Sequence, residues 1–98
     1  MKVSVDPRIE RPLQRFSKQE RAKIAQVVHL FSSGGFGLGE KHLKKLTRNI
    51  WELRPGNTRL LFGVVQNRAM IVNVFMKKTN KTPPREIELA ERRLAEYL

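Results

Sequence analysis

The 98-residue chain has no cysteine. Disulfides, thiolate metal sites and a thiol nucleophile are therefore excluded, and the composition suits a reducing cytoplasm. No apolar run approaches the roughly 20 residues that cross a bilayer. The N-terminal "MKVSVDPRIERP" lacks the apolar stretch of a secretory leader. Histidine occurs only as His29 and His42, away from any carboxylate cluster, so the sequence predicts neither a metal nor a cofactor. No basic helix carries Trp or Phe along an apolar face, so a membrane partner is not expected. Acids are also scarce. Nine Asp and Glu stand against twenty Lys and Arg, a net charge of +11, and such an excess points to a phosphate-rich partner.

The excess is localised. From Lys41 to Lys81 there are ten basic residues and one acid, Glu52, whereas the last fourteen residues mix four Glu with three Arg. At 40% hydrophobic content the chain has enough apolar side chains for one modest core, and a single domain over 1–98 is expected.

"SKQE" (17–20) reads as a capping box opening a helix. Ile24, Val27, Val28 and Phe31 then recur at helical spacing, with Lys18, Arg21 and Lys23 facing water and Gly34 as the left-handed cap. Upstream, Asp6-Pro7 suits a helix start and Pro12 interrupts that helix a few residues later, while "KVSV" (2–5) is a candidate short strand. "GGFGLGE" reads as a flexible connection. It comes after a helix and has no lysine-threonine ending, so it is not a phosphate loop. Three strands are expected: "NIWELR" (49–54), "TRLLFGVVQ" (58–66) and "AMIVNVFMK" (69–77), the last two joined at Asn67-Arg68. Thr82 as N-cap and Pro83 at the first position would start a final helix, with Ile87, Ala90, Leu94 and Leu98 on one face. The expected fold class is α+β: two N-terminal helices, a small antiparallel sheet of three to four strands and a C-terminal helix, with the helices in one layer.

A four-residue turn at Pro55–Thr58 places Arg54 opposite Arg59 on one face of the first hairpin, with Glu52, two residues back on the same face, as the only nearby acid. Facing like charges need an anion or a carboxylate between them. Either an Arg-Arg-Glu set or a phosphate clamp tempered by Glu52 satisfies that need. A two-residue second turn pairs Arg59 with Met76 and keeps Lys78 on the arginine face; a three-residue turn pairs it with Lys77. Trp51 and Phe75 read as core.

One reaction suits an Arg/Lys-rich site without thiol or metal. The 2′-OH of RNA attacks the adjacent phosphorus, giving a 2′,3′-cyclic phosphate and a 5′-OH. Arginines hold the non-bridging oxygens through paired donors. A lysine crowded by other cations exchanges protons more readily, and Glu52 is a candidate base. If Arg59 is an exposed surface residue, Arg59→Ala should remove activity at little cost in stability.

"K-x-L-x-x-x-I-W-E-L-R" (44–54), "R-L-L-F" (59–62) and "F-M-K-K-T-N-K-T-P-x-x-E-I-x-x-A" (75–90) together resemble the phage-derived HigB-like branch of the RelE/ParE toxin superfamily. The resemblance implies a metal-independent mRNA endoribonuclease acting on the ribosome in the cytoplasm. It also implies a cognate helix-turn-helix antitoxin, with operator DNA bound only through the toxin–antitoxin complex. The matching positions are Arg54, Arg59, Lys77, Lys78 and Lys81, with Lys44. Catalysis falls to Arg59, Lys77, Lys78 and Glu52, and RNA phosphate binding to Lys44, Arg54 and Lys81. Such toxins often add a Tyr or His near the C-terminus; here only Tyr97 stands there. A ParE-like gyrase inhibitor and a non-catalytic, phage-derived nucleic-acid binder are the alternative readings.

Overall fold

A computed structural model describes residues 1–98. In chain order these form β1 (Lys2–Val5), a 3-10 turn (Pro7–Ile9), α1 (Glu10–Gln14), α2 (Lys18–Gly34) and a second 3-10 turn (Gly35–Gly37). Beyond them lie β2 (Leu43–Lys45), β3 (Trp51–Leu53), β4 (Thr58–Val65), β5 (Arg68–Met76) and α3 (Pro84–Ala95). The strands make one sheet in the order β1-β5-β4-β3-β2. The fold class is α+β as expected, but the sheet has five strands and is mixed, because β1 runs parallel to β5 from Lys2 opposite Arg68 to Val5 opposite Ile71.

The helices also do not form one layer. Ile24, Val27 and Phe31 of α2 join Ile9 against Leu43, Leu53, Leu60, Phe62, Ala69, Ile71 and Val74 on one sheet face. Ala90 and Leu94 of α3 pack with Ile50, Leu61, Val65, Met70 and Val72 on the other. The central strands are therefore apolar on both faces and read as unbroken hydrophobic runs.

Local chemistry explains the element ends. Asp6 caps the 3-10 turn by accepting the Arg8 backbone N–H, with Pro7 at the first position. Pro12 is tolerated because it lies in the first turn of the five-residue α1, where a backbone N–H has no helical partner to lose. Ser17 and Glu20 form the expected capping box, with bonds of 3.0 and 2.7 Å. The cap of α2 is Gly35, one beyond the expected Gly34, and its φ of +58° with ψ of −140° is open to glycine but is not the expected left-handed cap conformation. α3 likewise starts one residue late, with Pro83 as N-cap and Pro84 at the first position, and Leu98 is exposed rather than on its buried face. The glycine-rich connection is held by Phe36, whose ring meets Phe31 at 5.4 Å and Trp51 at 4.7 Å.

The second hairpin turns at Gln66-Asn67, both at positive φ (50° and 63°), a two-residue turn whose twist suits adjacent strands. Arg68 thus begins β5 instead of lying in the turn. Arg59 then pairs with Phe75, through a register shift between Leu61 and Phe62 that leaves Val72 as the extra residue of a bulge. α3 fastens that bulge. Arg93 Nη1 donates to the Val72 carbonyl at 2.8 Å, and buried Asn73 donates Nδ2 to the Glu86 carbonyl at 3.0 Å. Gly63 lets α3 approach, since a Cβ there would stand 2.3 Å from Leu94 Cδ2.

The two ends of the chain meet at a buried carboxylate. Asp6 accepts from Arg8 N at 2.8 Å, Nε at 3.0 Å and Nη2 at 2.7 Å, while Arg8 Nη1 reaches Glu96 at 3.1 Å. The Arg8 guanidinium holds the Asp6 carboxyl well below the usual carboxylate range, against the opposing effect of burial. A depressed native pKa stabilises the fold fully above the ordinary aspartate value of about 3.9, and the contribution fades as pH falls below it. Asp6→Asn should therefore lower stability at neutral pH. In urea unfolding, the gap to the unsubstituted protein should shrink steadily below about pH 4; a gap independent of pH would contradict this role.

Candidate functional site

Glu52 lies in the middle of the narrow end of the sheet, opposite Lys44 on β2 and Leu61 on β4. Its side chain is 2% exposed and faces the α3 side. A carboxylate so buried must be compensated by charges and donors. Oε1 lies 3.5 Å from Arg54 Nε and 3.9 Å from Arg59 Nε. Oε2 accepts a short hydrogen bond from the Thr82 hydroxyl, just ahead of α3. The register carries Arg54 to the position opposite Arg59, so the two arginines converge on one carboxylate, the first of the two arrangements open from spacing.

Arg59 is not an exposed surface residue. Its side chain is 7% exposed, and Nη1 donates to the carbonyls of Gly56 (2.9 Å) and Thr58 (2.8 Å). Burial first, then the neighbouring Arg54, pushes its guanidinium pKa down, with Glu52 opposing. Arg59→Ala therefore removes a partner of a buried acid, and its cost is not that of a surface change.

Neither expected hairpin register occurs. With Arg59 opposite Phe75, strand alternation puts Lys77 on the arginine side. β5 ends at Met76, and Lys77 donates its backbone N–H to Asn57 O at 2.7 Å. The chain then curls through a turn in which the Thr79 hydroxyl donates to Lys81 O at 2.7 Å. Lys77, Lys78 and Lys81 consequently all line one notch with Arg59. Its volume is about 10 Å³, close to the least that holds one water, so a larger anion would sit at its mouth. Phe75, expected in the core, is half-buried and forms part of the wall.

Lys44 and Lys81 share a neighbouring pocket of about 180 Å³ with Thr82. Arg54 is divided between two sides. It faces Glu52, but its Nη1 donates to Glu40 O at 3.3 Å and it lines a separate cavity beside α2. Trp51 is outside the cluster, against Phe36, with Lys45 Nζ 5.4 Å from its ring centre.

Tyr97 does not join the basic residues. It lies beyond the twelve-residue α3, while Thr82 precedes it, a separation of about 18 Å along the helix. Burial, then a hydrogen bond with Asp6, pushes its phenol pKa up. Thr82 is legible in the sequence only as a helix cap, because nothing there signals that its hydroxyl turns back to Glu52. Chemically, the notch is lined by an arginine and three lysines and by no acid, residue types that can make charge-assisted bonds to a tetrahedral oxyanion.

The model of the family described as "Phage derived protein Gp49-like (DUF891)" matches residues 11–95. No curated protein matches significantly. Among solved structures, the chain is similar to a chain of the archaeal RelE-RelB complex from Pyrococcus horikoshii OT3, at TM-score 0.66 and 17% identity, covering 79% of this chain and 94% of that one. It is similar to one from the RelB-RelE antitoxin-toxin complex of Methanococcus jannaschii at 0.63 and 17%, covering 74% and 88%. The isolated E. coli RelE toxin gives 0.60 and 13%, covering 93% and 96%. At these identities the likeness is one of fold.

The Glu52 arrangement has measurable consequences. Thr82→Val should cost about 1.5–3 kcal/mol, the range for a hydrogen bond to a charged group, and Thr82→Ser should recover most of it. Glu52→Gln, which leaves two arginines without their counter-charge, should cost roughly 3 kcal/mol or more. Chemical denaturation measures both; near-neutral effects would show that the carboxylate does not hold this corner together.

Proposed function

The chain belongs to the Gp49-like family of phage-derived proteins, and from that membership, its RelE-like fold and its basic notch we propose that it is the toxin of a type II toxin–antitoxin pair, a metal-independent mRNA endoribonuclease. The observation that carries the reading is the convergence of Arg59, Lys77, Lys78 and Lys81 on one notch.

In this reading a phosphodiester sits at the mouth of the notch. Arg59 and Lys77 hold the non-bridging oxygens as charge builds in the transition state. Lys78, exposed at the rim, delivers a proton to the departing 5′-oxygen. Lys44, Arg54 and Lys81 hold flanking phosphates. Glu52, the candidate base, has its carboxylate engaged by Thr82, Arg54 and Arg59. We therefore assign it to positioning the arginines, and the 2′-OH proton leaves to water. The products are a 2′,3′-cyclic phosphate and a 5′-OH.

The substrate is mRNA on the ribosome, in the cytoplasm. The partner is a cognate helix-turn-helix antitoxin with an acidic segment that covers the +11 chain; operator DNA is met only through that complex. The RelE-RelB complexes among the fold neighbours support an antitoxin partner.

The test is expression without an antitoxin, with RNA 5′ ends then mapped. New 5′-OH ends in mRNA should accompany growth arrest, and Lys78→Ala should slow cleavage by roughly a hundredfold while unfolding like the unsubstituted protein. Arrest with intact mRNA would overturn the reading, and loss of supercoiling in a gyrase assay would put a ParE-like action in its place.

A further inference from the structure

A cavity of about 390 Å³ lies on the other side of the β3–β4 turn from the notch, between that turn and α2. Lys23, Lys41, His42 and Arg54 line it, and no carboxylate does. Neither lysine is in an ion pair, since the chain's salt bridges use only Arg8, Arg54 and Arg59. The Arg54 Nε makes no hydrogen bond and is engaged only by the Glu52 carboxylate at 3.5 Å. Gly56 (φ +58°) brings the turn close under Lys23, whose Nζ lies 3.7 Å from where a Cβ would stand. The same turn reaches the notch, because Gly56 O accepts from Arg59. Two basic surfaces are thus joined by one turn, which lines the cavity through Arg54, Pro55 and Gly56 and holds Arg59 of the notch through Gly56 O.

We propose that this cavity is a second phosphate subsite, holding a backbone phosphate of the single-stranded RNA whose scissile phosphate lies at Arg59. It rests on the reading of the Arg59 notch as an RNA site and adds the direction of the strand, over the β3–β4 turn toward α2. Lys23 and Lys41 supply point charges to the non-bridging oxygens. His42 and the second edge of Arg54 supply donors. The contact is to backbone and carries no base preference.

Fluorescence anisotropy with a labelled short RNA, 2′-O-methylated so that it is not cut, tests this directly. The variant Lys23→Gln/Lys41→Gln should bind about tenfold more weakly. Its slope of log affinity against log salt should fall by about 0.7, one phosphate on a single strand. Lys18→Gln/Arg21→Gln removes the same charge from α2 outside the cavity and should change both far less. Equal losses in the two variants would overturn the subsite while leaving the notch reading intact. Failure of the unsubstituted protein to bind RNA would overturn both. Inorganic phosphate, titrated against the His42 ring resonances, separates the remaining source. Saturation by the free ion, with RNA affinity untouched in Lys23→Gln/Lys41→Gln, would make this a free-phosphate site and overturn the proposal.

Discussion

The Glu52 carboxylate is the constraint on which the rest of the site depends. It sits 2% exposed in a chain with more than twice as many basic as acidic residues, and its partners come from three separate segments. Arg54 lies just after β3, Arg59 on β4, and Thr82 in the loop entering α3. Burial of an unpaired carboxylate would cost several kcal/mol, so these segments close only together. Two arginines that would repel each other are held side by side, and the lysine-rich loop after β5 is pinned next to them. An acid in a basic site serves here to concentrate positive charge.

The bulge at Val72 and Asn73 has a similar reach. One extra residue in β5 shifts everything beyond it by one position. Lys77 thereby comes to the arginine side, and the strand stops soon enough for Lys78 and Lys81 to fold back onto the same notch. α3 secures the bulge through Arg93 and Asn73 and presents Thr82 to Glu52 at its start. Helix docking and site geometry are therefore one event, which explains why three lysines on an ordinary-looking strand end line one notch.

Much of this is legible in the sequence where local chemistry decides it. The capping box at Ser17, the Asp6-Pro7 start and the first hairpin's facing arginines all obey short-range rules, whereas Pro12 does not interrupt its helix but lies in the first turn of α1. The bulge is not legible, because Val72-Asn73 carries no glycine or other local signal and is stabilised by a helix many residues later. The turn at Gln66-Asn67 falls one residue before its expected place, since Gln at positive φ is unusual. β2 escapes sequence reading because Leu43-Lys44-Lys45 has one buried residue and exists only by pairing with β3. Burial of Arg59 is hidden for the same kind of reason. Nothing beside it in sequence shows that Gly56, Thr58 and Glu52 will enclose it. Residue type and spacing bring forward Glu52, the arginines and the lysines as candidates but not Thr82 as their partner, and which lysines line the notch requires the three-dimensional register.

The most direct measurement is a crystal structure of the protein with an RNA blocked at the cut position by a 2′-O-methyl group. A phosphate at the mouth of the notch, its non-bridging oxygens within about 3 Å of Arg59 and Lys77, with Glu52 still bonded to Thr82 and between the two arginines, is the predicted result. A strand bound away from the notch, or a Glu52 carboxylate swung out to the blocked 2′-oxygen, would contradict it.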